Sequence, residues 1–159
     1  MRWIRFAVLI CLAAIIQAGF LSLFVIRPDL LTILLVFFAV YSSTTDSIIT
    51  SFSIGFAADL IGLSMGSQMI SFGILGTLLA YVNRVIAMRK MPYQALAIFV
   101  ITILAKIITN ILNSFKGVAA IENVEILKTA IYSGIIGPFM FIPVAWWMRI
   151  RTSRTRRRF

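Results

Sequence analysis

The sequence predicts an all-α integral membrane protein with about six transmembrane helices, on three observations. Of the 159 residues, 61% are hydrophobic and the mean hydropathy is +1.03, whereas soluble domains are about 45–50% apolar. Long apolar runs such as 30–41 contain no charged residue, and a bilayer core of about 30 Å requires about 20 apolar residues as a helix. No segment shows the alternating pattern that is typical of a membrane β-barrel.

The predicted helices follow one another along the whole chain. Apolar stretches place them at 4–25, 29–43, 47–63, 68–88, 93–113 and 129–148. The second and third are short for a full crossing, so they are tilted, shielded by neighbours or broken into half-helices. A four-span alternative joins 29–63 into one re-entrant hairpin. We predict a single polytopic transmembrane domain over residues 1–148, followed by a basic cytoplasmic tail over 149–159.

The placement of Lys and Arg predicts the orientation. With the N-terminus in the cytoplasm, the outer loops hold only Arg27, Lys116 and Lys128, and most other basic residues lie on the cytoplasmic side of the membrane. Such an excess in cytoplasmic loops is the usual topology signal. The formal net charge of +10 is then explained by topology and by attraction to anionic lipids. We expect no nucleic-acid partner.

The composition argues against an enzyme. The chain has no histidine and one cysteine, Cys11, and no two acids lie three or four residues apart within a predicted span. Acid–base and metal chemistry need such groups close together, although helices that are distant in sequence can still meet. We predict no catalytic residue, no metal site and no cofactor.

Two ionisable residues lie at predicted membrane depth. Asp59 belongs to the stretch "GFAADLIGLSMGSQ" (55–68), and Lys106 lies inside the fifth predicted helix. A charge at this depth usually marks a pathway, a partner or a protein-lined interior. We hypothesise that Asp59 and Lys106 form an ion pair inside the bundle, with Asp59 architectural rather than a proton relay. Asp46 is expected to cap the third helix.

Small residues and prolines indicate where helices approach one another. Membrane helices associate through close backbone contact, for which small residues leave room. The candidates for helix packing are Ala14, Ala18, Gly55, Gly62, Gly66, Gly73 and Gly76. Such faces serve internal packing or receive another membrane protein. Pro138 and Pro143 are expected to bend the last helix or open its backbone to a neighbour. Segment 113–128 is an interfacial helix, a partner-docking surface or an extension of the last helix.

Two stretches carry a resemblance to a known family. "RPDLLTILLVFFAV" followed by "GFAADLIGLSMGSQ" resembles the rod shape-determining protein MreD family. That family has Arg/Lys-Pro-Asp before a leucine-rich span, then a glycine-rich third span that ends in Asp. The matching residues here are Arg27, Pro28, Asp29, Leu30 and Leu31, then Gly55, Asp59, Gly62 and Gly66. Tyr81, which follows Gly73 and Gly76, also fits.

The resemblance implies a fold, a role and partners. The fold would be similar to the six-helix substrate-binding subunits of energy-coupling-factor transporters. The role would be a non-catalytic inner-membrane scaffold of the bacterial elongation (Rod) complex, which maintains rod shape and organises lateral peptidoglycan synthesis. The implied partners are an MreC-like protein, MreB filaments, a RodA-type glycosyltransferase and a class B penicillin-binding protein. The alternative is a substrate-binding subunit of a vitamin or small-molecule transporter.

The triplet at the start of the second predicted helix has both a local and a functional interpretation. Pro28 needs no hydrogen-bond partner at a helix start, and Asp29 is favourable at the positive end of the helix. Arg27 is close enough in sequence to pair with Asp29. On the functional interpretation, this outer corner and the loop 60–68 form a docking face for a partner.

Overall fold

All secondary structure in the described residues is helical. The computed structural model describes residues 3–20, 28–62, 66–85, 91–117 and 122–148. These residues form six α-helices, which confirms the predicted all-α class. The helices are α1 (Trp3–Ile15), α2 (Leu30–Tyr41), α3 (Thr44–Gly62), α4 (Ser67–Val85), α5 (Met91–Phe115) and α6 (Asn123–Met148). A π-helical turn, Ile16–Phe20, extends α1.

The shortest helix, α2, forms the core of the bundle. Every residue from Leu30 to Val40 is buried, and α2 contacts each of the other five helices. Phe37 and Phe38 are fully buried, and their rings make edge contacts with Phe141 of α6 and Phe6 of α1. A helix that is apolar on all sides belongs in an interior. Its 12 residues give a length of about 18 Å.

Helices α3 and α4 pack closely against each other, because glycines line their contact. A Cβ atom on Gly55 would lie 2.6 Å from Cα of Met69, so the two backbones touch at this point. A Cβ on Gly76 would collide with Ser51, and one on Gly73 would collide with the ring of Phe52. The structure therefore places three of the predicted packing glycines in one interface.

Other predicted packing residues lie elsewhere. Gly66 belongs to a turn with φ of +86°, and a Cβ there would meet no described atom within 4 Å. The packing role predicted for Gly66 is therefore wrong, and its backbone conformation is the reason for glycine. Gly62 is exposed at the end of α3, and Ala18 is exposed while Ala14 is half-buried. On α1, Ala13 faces the core instead.

Two helix starts differ from the sequence prediction. α3 begins at Thr44, and Ser43 caps it by accepting a hydrogen bond from the backbone N–H of Asp46 at 3.3 Å. The prediction that Asp46 caps this helix is wrong, since Asp46 lies in the first turn, where its charge suits the helix dipole. α6 begins at Asn123, so residues 123–128 extend the last helix. Residues 118–121 lie outside the described ranges.

The exterior of the bundle is apolar. Large apolar side chains are exposed on each of the five helices that surround α2, for example Ile4, Phe56, Ile74, Leu96 and Ile135. Soluble monomers seldom expose apolar surface on all sides, whereas lipid is a suitable solvent for it. The two helices α5 and α6 are each long and apolar enough to cross a membrane.

Candidate functional site

Asp29 lies at the N-terminus of the central helix and is 97% buried, because only 3% of its surface is exposed. Its Oδ1 atom accepts a hydrogen bond from the backbone N–H of Thr32 at 3.2 Å, which makes it the N-cap of α2. The sequence predicts this position well, since Asp is among the preferred N-cap residues. Pro28, which precedes it, is also buried. Arg27, the partner expected from the sequence, lies outside the described residues.

The cation that neutralises Asp29 is Lys106 of α5. Its Nζ atom lies 3.3 Å from Oδ2 of Asp29, and the Lys106 side chain is 24% exposed. The hypothesised pair between Lys106 and Asp59 is therefore wrong. The correct partner, Asp29, is the acid whose helix end faces α5. This pair joins the core helix to one of its surrounding helices.

Two polar side chains complete the cluster around Asp29. Gln17, in the π-helical turn after α1, donates to Oδ1 of Asp29 at 3.3 Å and accepts from the backbone N–H of Leu31 at 3.2 Å. Ser133 of α6 accepts from the backbone N–H of Asp29 at 2.8 Å. The N–H groups of Asp29 and Leu31, which have no partner inside their own helix, are thus bonded to side chains of neighbouring helical segments. We call Gln17, Asp29, Lys106 and Ser133 the carboxylate cluster.

Asp59 performs a different task. Its two carboxylate oxygens accept hydrogen bonds from the backbone N–H groups of Gln68 and Met69, at 2.9 and 2.8 Å. A helix normally receives these bonds from its own N-cap side chain. The residue before α4 is Gly66, which has no side chain to offer. Asp59 of α3 therefore supplies the cap of α4 from the adjacent helix.

Replacing Asp59 with asparagine tests this cap. Asparagine keeps one acceptor oxygen but turns an NH2 group toward the second amide, so we expect a loss of about 2 kcal/mol at the start of α4. Hydrogen exchange measured by mass spectrometry should then be faster in peptides that contain Gln68 and Met69 in their interior. The control is Asp46→Asn, which removes a carboxylate from the first turn of α3. Unchanged exchange at Gln68 and Met69 would contradict the assignment.

The opposite end of α2 is also held by polar side chains. Asn83 of α4 donates through Nδ2 to the carbonyls of Val40 and Ala39, at 3.0 and 3.4 Å. Gln94 of α5 donates to the hydroxyl of Tyr41 at 2.7 Å. The last carbonyls of a helix have no partner in that helix, and Asn83 supplies one. Both ends of the core helix are thus bonded to its neighbours.

The contacts of the carboxylate cluster hold helices in position. Asp29 is held by a lysine, an amide side chain and a backbone N–H, which together stabilise the charged carboxylate. No group of three or more metal-ligating side chains occurs within the described ranges. The cluster connects four helices at one level of the bundle. Its geometry fixes α2 relative to α1, α5 and α6.

Sequence reasoning found some of these residues and missed others. Asp29 and Lys106 stand out as charges in apolar surroundings, but their mutual contact depends on how α5 crosses α2. Ser133 carries no signal, since serine is common in membrane helices and its partner is a backbone amide. Gln17 is a polar residue in an apolar run, which is a detectable signal for a buried hydrogen bond.

The fold and this site define a class of protein: an all-helical membrane protein in which buried polar groups join helices. The family model of the rod shape-determining protein MreD matches residues 1–151. The chain belongs to that family, which confirms the resemblance in the sequence and gives it a role in the determination of rod shape. Searches of curated proteins and of solved structures found no match.

Proposed function

We propose that this chain is a six-span, non-catalytic scaffold of the bacterial inner membrane that organises lateral peptidoglycan synthesis in the elongation complex. The observation that carries the proposal is the family match over residues 1–151. Its partners on this proposal are an MreC-like protein, MreB filaments, a RodA-type glycosyltransferase and a class B penicillin-binding protein. Anionic lipids bind its basic cytoplasmic segments.

Helix lengths support six spans. The 19 residues of α3 and of α4 give lengths of about 28 Å, and α5 and α6 are longer. Each is close to or above the thickness of a hydrocarbon core, about 30 Å. Two helices are shorter: α1 has 13 residues, followed by the five of its π-helical turn, and α2 has 12. α2 is surrounded by protein and so has no need to match the bilayer thickness. This favours six spans over the four-span alternative.

Aromatic residues support the orientation with both termini in the cytoplasm. Exposed Trp and Tyr side chains gather at one end of the bundle, where α1 and α5 begin and where α4 and α6 finish. Among the described residues, five of the six exposed Trp and Tyr side chains lie there: Trp3, Tyr81, Tyr93, Trp146 and Trp147, whereas Tyr132 lies farther back along α6. Trp and Tyr favour the membrane–water interface. Arg5 and Arg84 lie at this same end, which agrees with a cytoplasmic face.

The polar groups of the site support a scaffold rather than an enzyme. Asp29 and Lys106 neutralise each other, and Asp59 is bonded to two backbone amides. A general base or nucleophile must be able to reach a substrate, whereas these groups are bonded to the protein itself. Their arrangement favours a rigid bundle that presents fixed surfaces to other membrane proteins.

Depletion of the chain in its own rod-shaped host tests the proposal. We expect cells to become spherical or swollen within a few generations, and plasmid-borne wild-type chain should restore rods. The site of new wall synthesis should be followed with a fluorescent D-amino acid, because a scaffold loss disperses labelling along the lateral wall. As a control, vitamin supplements should leave the shape defect unchanged. Normal rods combined with vitamin auxotrophy would contradict the scaffold and indicate transport.

A further inference from the structure

An apolar groove runs between α5 and α6 on the exterior of the bundle. Its volume is about 610 Å³. The α5 wall includes Leu96 and Phe99, and the α6 wall includes Ile135 and Phe139. Gly134 forms part of the floor, where a Cβ would lie 3.4 Å from the carbonyl oxygen of Ala95. The missing side chain of Gly134 therefore lets α5 and α6 pack closely beneath the groove.

The α6 wall also carries backbone acceptors. Pro138 and Pro143 lie inside α6, and proline has no N–H to donate to the carbonyl four residues earlier. The carbonyls that lose their helical donor are those of Gly134 and Phe139, and both residues line the groove. No side chain donates to either one within the described part of the chain.

The Phe139 carbonyl is the more accessible of the two. A helical carbonyl points toward the residue four positions later, so this one lies on the side of α6 that carries Phe139 and Pro143. Phe139 is 63% exposed and Pro143 is also exposed. In hydrocarbon, an acceptor without a donor costs free energy. A lipid acyl chain fills apolar volume but offers no hydrogen-bond donor.

We propose that this groove binds one transmembrane helix of a partner protein, which packs between the α5 and α6 walls and donates a Ser or Thr hydroxyl to the Phe139 carbonyl. The inference rests on the proposed scaffold function, to which it adds the surface and the chemistry of one partner. Hydroxyl side chains are the usual donors between membrane helices and often accompany small-residue contacts. The bound helix lies against both walls, so it touches Leu96 and Ile135.

Photo-crosslinking of the full chain in its host membrane tests the inference. A benzophenone amino acid is placed at Ile135 in the groove and, as a matched control, at Ile74 on the exposed face of α4. We expect a protein adduct of one discrete mass from Ile135 and not from Ile74. The crosslinked peptide should belong to a transmembrane helix with Ser or Thr within one turn of the attachment point.

Two further variants test the groove and the donor separately. Leu96→Trp fills the groove and should abolish the adduct, whereas Leu78→Trp on α4 should not. Pro143→Ala returns an N–H to the Phe139 carbonyl, so the partner hydroxyl loses its acceptor and the adduct should fall about threefold or more. Each variant is compared at equal membrane accumulation.

Three results would overturn the inference. They are lipid adducts alone, adducts to a second copy of this chain, and an adduct that survives both Leu96→Trp and Pro143→Ala. Scoring cell shape in the same strains separates the two proposals. If cells that carry the Leu96→Trp chain stay rod-shaped and the Ile135 probe labels only lipid, the groove assignment is overturned. The scaffold function then remains intact. Rods that persist without the chain overturn the scaffold function itself.

Discussion

Lys106→Met is expected to destabilise the protein by about 3–5 kcal/mol, because it leaves the Asp29 carboxylate buried without its cation. Asp29 is 3% exposed, so water cannot replace the lost partner. The remaining donors, Gln17 and the Thr32 N–H, are dipoles and only partly compensate the charge. The measurement is the fraction of protein that stays monodisperse in detergent after heating, with Lys128→Met as the matched exposed control.

Asp29→Asn should cost less than Lys106→Met. The asparagine oxygen still accepts from the Thr32 N–H, and asparagine is also a good N-cap. The stranded Lys106 side chain is 24% exposed, so it can move its charge toward a polar environment. The two single variants therefore differ in how well the remaining charge can escape burial.

The double variant Asp29→Asn, Lys106→Met decides whether the pair is coupled. Removing both charges leaves no buried ion, so its loss should be smaller than that of Lys106→Met alone. A loss equal to the sum of the two single variants would show that the two residues act independently. That result would mean that the ion pair does not hold α2 in place.

The helix pattern could be predicted from the sequence because lipid imposes it. Every backbone group in a bilayer needs a partner, so apolar runs become helices, and the six runs correspond to six helices. The burial of α2 was among the predicted alternatives, since run 30–41 is apolar on every face and too short to span alone. The predicted helix starts are less accurate. For example, α3 begins at Thr44 and not at residue 47, because several short polar residues in this stretch, among them Ser43, are able to cap a helix.

The pairing inside the site could not be predicted in the same way. Two carboxylates, Asp29 and Asp59, are candidates to pair with Lys106, and sequence spacing does not rank them. Asp59 instead accepts hydrogen bonds from two backbone amides of α4, because Gly66 has no side chain that could cap that helix. Gln17 reaches Asp29 from a π-helical turn, and this irregularity changes which face of the chain it occupies. Such choices depend on tertiary geometry.

Gly55→Ala is expected to separate α3 from α4 and to cost about 3 kcal/mol or more. Its Cβ would lie 2.6 Å from Cα of Met69 and 3.0 Å from the carbonyl oxygen of Gln68. Backbone atoms cannot rotate aside as a side chain can, so one helix must move. Overpacking in a well-packed interior typically costs about 1–3 kcal/mol, and a backbone collision lies at the upper end or beyond.

The displacement should also disturb the cap on α4. Gln68 and Met69 are the two residues whose amides bond Asp59, and they are the same residues that meet Gly55. Hydrogen exchange in peptides from the start of α4 should therefore increase together with the loss of thermal stability. Gly134→Ala is the matched control, since its Cβ would meet the Ala95 carbonyl at an ordinary 3.4 Å. Equal stability of the two alanine variants would mean that the α3–α4 backbones are farther apart than 2.6 Å implies.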